Sequence, residues 1–96
     1  MVKIENIIVN VICLECKSKY SLPILEPVTE KEQRSLGYEY EHTWNSNIKC
    51  DKCGDEIKIE VIAYEYPKGF LNYEETNGEG CIITDKINFT VHDPNY

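Results

Sequence analysis

No uninterrupted apolar run in this chain exceeds four residues, the longest being Val11 to Leu14 and Val61 to Tyr64. A helix that crosses a bilayer needs about 20 such residues, so no membrane span is expected. Cations are scarce as well: 10 Lys and Arg stand against 17 Asp and Glu, for a formal net charge of −7. A chain of that charge repels polyanions as a whole, which counts against non-specific nucleic-acid binding and against docking on anionic membranes. Glu5 and Asn6 fall where a secretory leader would carry its apolar segment. The protein is therefore expected to be cytoplasmic, with reduced cysteines. No convincing Ser, His and Asp set can be picked out, and a non-catalytic role is expected.

Ninety-six residues fit one small domain. Leu, Ile, Val and Phe together make up about a quarter of the chain, enough for a core but not a large one. A domain of this size gains from an added staple such as a metal ion. The sequence supplies a candidate in Cys13-Leu14-Glu15-Cys16 and Cys50-Asp51-Lys52-Cys53-Gly54, two Cys-x-x-Cys units separated by 33 residues. A two-residue spacer lets both thiolates of one tight turn reach a common ion at about 2.3 Å, and two such turns complete a tetrahedral four-sulfur site. Cys13, Cys16, Cys50 and Cys53 are the expected ligands, with one structural Zn²⁺ as occupant and Fe as the alternative. Four cysteine ligands leave no open position for water, so zinc-dependent hydrolysis is not expected.

The second unit, with glycine directly after its last cysteine, resembles the knuckle of the zinc-ribbon group, including rubredoxin-like proteins. In the first knuckle Lys17 stands where that glycine would be, and the knuckle proline of rubredoxins is absent. The resemblance implies a β-rich ribbon in which each cysteine pair adjoins a strand. The group contains nucleic-acid binders, factors associated with polymerases and ribosomes, and scaffolds, so it implies a fold rather than a task.

The rest of the chain reads as mainly β. β-Branched residues from Val2 to Ile12 suggest a strand covered on both faces toward its end. Pro23 and Pro27 suit an edge strand or extended loop. Thr29-Glu30-Lys31-Glu32 has the form of a capping box, and with Gly37 as the stop it predicts one short helix of about two turns. Tyr38, Tyr40, His42 and Trp44 alternate with polar residues along a strand, and Asn45-Ser46-Asn47 reads as a turn. Ile57 to Tyr66 is the clearest strand. Residues 67–80 are expected to be a mobile loop around a short strand at Phe70 to Tyr73, followed by Cys81 to Thr84 and Ile87 to Val91 as two strands or one long one. The expected fold is a zinc ribbon with an extended antiparallel sheet and one helix.

Among the remaining polar groups, Cys81 reads as a small buried hydrophobe, and His42 and His92 as ordinary strand residues. Asn88-Phe89-Thr90 matches a glycosylation acceptor in form only. Lys17, Lys19, Lys49 and Lys52 cluster at the metal turns and are the basis of an alternative nucleic-acid-binding role; a rubredoxin-like electron carrier is a further alternative. Seven Tyr, two Phe and one Trp supply aromatic cross-strand pairs or a binding platform. The expectation drawn from charge and aromatics together is an adaptor or accessory subunit that offers an acidic, Tyr-rich sheet face to a partner protein. Edge strands could also pair two copies as a homodimer.

Overall fold

The computed structural model describes residues 2–6 and 8–91; His92 lies outside the described residues. The described residues form nine strands in order: β1 (Val2–Ile4), β2 (Ile8–Cys13), β3 (Lys19–Pro23), β4 (Val28–Arg34), β5 (Gly37–Lys49), β6 (Glu56–Glu65), β7 (Leu71–Glu79), β8 (Cys81–Ile83) and β9 (Phe89–Val91). They form a four-stranded sheet in the order β4-β5-β6-β7, a three-stranded sheet β3-β2-β8 and a two-stranded ribbon β1-β9. Every pairing is antiparallel.

The expected short helix is absent: the described residues contain no helix, and Val28–Arg34 is an edge strand paired residue for residue with β5. Residues 29–36 offer a helix almost nothing to bury, since Leu36 is their one large apolar residue. Most helical stability comes from such a face. As a strand the same segment satisfies its backbone along one edge of β5. Gly37, with φ of +113°, closes the tight turn between β4 and β5 instead of ending a helix.

Three further expectations are revised. Asn45-Ser46-Asn47 is no turn but the middle of β5, paired with Glu60, Ile59 and Lys58, with Ser46 buried on the apolar face and both asparagines exposed. Residues 71–79, read as part of a loop, are a nine-residue strand along β6. The stretch from Val2 to Ile12 contains two strands, and β2 alternates with Val9, Val11 and Cys13 buried and Ile8 exposed, so its two faces are not covered alike. Pro23 does end an edge strand, as its missing N–H requires.

The core lies between the sheets. Trp44, Ile57, Ile59, Val61 and Ala63 on one face of β5 and β6 pack with Val9, Val11, Cys13, Leu22 and Cys81 from the three-stranded sheet, and with Val2 and Ile87. β5 and β6 outrun that core, and the molecule measures 49 × 23 × 17 Å. Aromatic residues follow the same gradient on the core-facing side of β5: Tyr38 is exposed, Tyr40 half-buried, and His42 and Trp44 buried, each ring 5.9 to 6.4 Å from the next.

Candidate metal centre

The two Cys-x-x-Cys turns are the tips of two hairpins. The first joins β2 to β3 and the second joins β5 to β6, and they meet at one end of the core. Their backbones repeat one another. Cys13 N–H donates to Ser18 O at 2.9 Å and Lys17 N–H to Cys13 O at 3.0 Å; Cys50 N–H donates to Asp55 O at 2.8 Å and Gly54 N–H to Cys50 O at 2.8 Å. Gly54 takes φ of +78°, and Lys17, at the matching place, takes φ of 62°. Glycine enters this left-handed conformation freely, whereas a lysine there is strained. The knuckle geometry therefore governs position 17 even without the favoured residue.

The hairpins bring all four expected ligands together. Sγ atoms of Cys13, Cys16, Cys50 and Cys53 lie within 4.8 Å of one another. Across the two turns, Cys13 Sγ is 3.6 Å from Cys53 Sγ and Cys16 Sγ is 3.4 Å from Cys50 Sγ. Four sulfurs at about 2.3 Å from a central ion stand about 3.8 Å apart along each tetrahedral edge. The cluster is thus close to the size a tetrahedral ion needs. Cys13 and Cys50 are fully buried and Cys16 and Cys53 half-buried, so one sulfur of each turn faces the core and the other the rim.

Neighbouring groups tune the sulfurs. Tyr20 Oη donates to Asp51 Oδ1 at 2.6 Å and lies 3.1 Å from Cys50 Sγ. Those two acceptors hold the phenol proton well above its ordinary range. The Tyr20 hydroxyl in turn, with backbone N–H groups of Cys53 and Lys52, lowers the Cys50 thiol to about 6. At Cys53 a bond from the Asp55 backbone favours the thiolate, but burial and the three other sulfurs outweigh it and push the thiol up to about 12. Four thiolates packed this closely repel each other, and a cation between them removes that penalty. Ser18 Oγ, 3.2 Å from Cys16 Sγ, completes the polar surround.

The lysines at these turns are exposed, and Lys17 turns its Nζ back onto Leu14 O at 3.0 Å. Cys81 is buried, as expected; it sits directly across from Cys13 in the β2–β8 register, and burial followed by the nearby Cys13 raises its thiol. Its Sγ faces Lys58 O at 3.7 Å, and it stands apart from the four-sulfur cluster.

His42 is more than an ordinary strand residue. The residue is 1% exposed, with Nε2 at 2.9 Å from Glu65 Oε1 and Nδ1 at 2.9 Å from Thr29 Oγ1. Glu65 is fully buried and also accepts the N–H groups of Val2 at 3.0 Å and Gly69 at 2.9 Å. Burial pushes its carboxyl up, but those N–H groups and the His42 ring prevail and hold it below the usual carboxylate range. Local sequence gave no sign of this trio: the residues lie on β4, β5 and β6 and meet only through register.

The outer face of the four-stranded sheet has its own character. Glu30, Glu32, Glu39, Glu41, Glu60 and Glu75 share it with Val28, Ile62, Tyr64 and Tyr73. Tyr64 and Tyr73 pair across β6 and β7 with ring centroids 5.9 Å apart. Glu41 above all, then burial, Glu39 and Glu75, raise the Tyr64 phenol above its ordinary value.

Compared with protein-family models, curated proteins and solved structures, the chain matches none of them.

Proposed function

We propose that this protein is a zinc ribbon in which Cys13, Cys16, Cys50 and Cys53 hold one structural Zn²⁺, and that it acts as an adaptor or accessory subunit for a partner protein. The metal part of this reading is carried by four sulfurs from two like-built turns standing at nearly tetrahedral separations. An all-sulfur donor set suits Zn²⁺, and its bound state would tie the β2–β3 hairpin to the β5–β6 hairpin. The occupant is identified by metal analysis and visible absorbance: one colourless Zn²⁺ per chain is expected, and a red ferric protein would favour the electron-carrier reading.

The adaptor part rests on the outer sheet face. Two paired tyrosines and the half-buried Ile62 form an apolar centre within a field of glutamates. Aromatic centres with charged rims are common at protein interfaces, and a field of this sign attracts basic surfaces. The test is a pull-down from source cells with the wild-type protein and with a Glu39→Lys, Glu41→Lys, Glu75→Lys variant of equal metal content. A partner retained by the first and lost by the second supports the reading. A protein that instead binds RNA or DNA with a steep salt dependence, through Lys17, Lys19, Lys49 and Lys52, contradicts it.

A further inference from the structure

A groove of about 450 Å³ runs along the core-facing side of the four-stranded sheet, between β1 and the segment that links β3 to β4. Its lining is mixed: Val2, Ile4, Ile24 and Trp44 form an apolar part, and polar or charged residues, Lys3, Glu5 and Glu26 as well as Thr29 and His42, make up the rest. The size is that of a small-molecule site, and an apolar part beside polar groups can hold and orient a ligand.

The proton positions follow from the partners. Glu65 is ionised and can only accept, so His42 Nε2 carries the hydrogen that points at it. His42 Nδ1 is then a bare lone pair, and the Thr29 hydroxyl donates to it. When the ring gains a proton at Nδ1, the same hydroxyl oxygen can accept it, and Glu65 balances the positive charge. His42 is thus partnered in either protonation state, as a general base must be. Removing such a pair from water is costly, and apolar residues of similar volume would fill a core as well. Here the cost maintains a chain of carboxylate, imidazole and hydroxyl that ends on a groove-lining side chain of an edge strand.

We propose that Thr29 is an imidazole-activated hydroxyl and that this groove takes small acyl esters. Thr29 Oγ1 attacks the ester carbonyl carbon, and its proton passes to His42 Nδ1. The bond from the carbonyl carbon to the leaving oxygen breaks, and the departing alcohol takes that proton. Water then attacks the acyl-threonine by the same route, releasing the carboxylic acid and restoring the hydroxyl. Glu65 is a positioning residue, fixing the ring's tautomer and bearing the charge of the transient imidazolium.

The test uses the metal-loaded protein and a dialkyl fluorophosphate, which reacts with activated hydroxyls by forming an oxygen–phosphorus bond and releasing fluoride. Mass spectrometry is expected to place the adduct on Thr29. Thr29→Val is expected to slow labelling of the protein by at least about 10²-fold, the lower end of what general-base assistance contributes. Thr29→Ser is expected to keep it, with metal content and β spectrum unchanged in both. Hydrolysis of p-nitrophenyl acetate should rank the three proteins in the same order. A wild-type protein that takes no label, takes it on another residue, or labels equally fast as Thr29→Val overturns the proposal.

Discussion

Lys17 and Gly54 hold the same place in two copies of one turn, with φ of 62° and 78° and with their N–H groups returned to Cys13 O and Cys50 O at 3.0 and 2.8 Å. A left-handed conformation costs a residue with a Cβ about 1–2 kcal/mol, partly offset in glycine by the larger entropy it loses on folding. Lys17→Gly is therefore expected to stabilise the protein by up to about 1 kcal/mol, and Gly54→Ala to destabilise it by about 1 kcal/mol. Denaturant midpoints of the metal-loaded proteins measure both.

Gly80 faces a stricter limit. It has φ of +72°, and a Cβ there would run into the Glu56 carbonyl oxygen, which is backbone and cannot swing aside. Its own carbonyl accepts the N–H of Leu14 beside the first metal turn. Gly80→Ala is expected to cost about 1–3 kcal/mol and to weaken metal retention, read by thermal melting and by competition with a chelator.

The depressed Glu65 carboxyl ties stability to acid. A carboxyl held below its unfolded value of about 4.3 stabilises the fold at higher pH. That contribution is lost as pH falls from about 4.3 through the lower folded value. Glu65→Gln removes the titration and leaves N–H groups of Val2, Gly69 or His42 poorly matched, for a loss of about 1–3 kcal/mol at neutral pH. The stability difference between wild type and variant should shrink on acidification. A difference that stays constant down to pH 3 would contradict this assignment.

Tyr64 reports the field of the acidic face. Its phenol is expected to titrate above 10, and Glu41→Gln to bring it down, because Glu41 is the largest contributor to the shift. NMR of the labelled tyrosine ring carbons against pH resolves it from the other six. An unchanged Tyr64 titration in Glu41→Gln would remove the electrostatic basis for the proposed partner surface.

Features fixed by short spacing were legible in the sequence. The two cysteine pairs and the strands beside them depend on neighbours only a few residues away. Features decided by pairing were not. Thr29 to Glu32 fits a helix cap, but the free edge of β5 turned it into strand. Asn45-Ser46-Asn47 has turn chemistry, yet the ladder to β6 runs straight through it. Asn77-Gly78 falls in the expected loop, but Gly78 lies within β7 where a Cβ would press on Cys81 O at 3.2 Å, so the glycine serves close approach. Glu30, Glu39 and Glu41 read correctly as strand-surface charges only once the sheet exists to give them a common face. The contact of Thr29, His42 and Glu65 depends on two registers at once, and no local pattern encodes that.

A bound metal ion would join the two hairpins, and in small structural zinc modules metal binding contributes on the order of 10 kcal/mol to folding. The most direct measurement is circular dichroism during chelation, with metal content followed in the same samples. One ion per chain, a β spectrum that collapses when the ion is removed and returns when Zn²⁺ is added back is the expected result. A metal-free protein that keeps its full β spectrum and its melting temperature would contradict it.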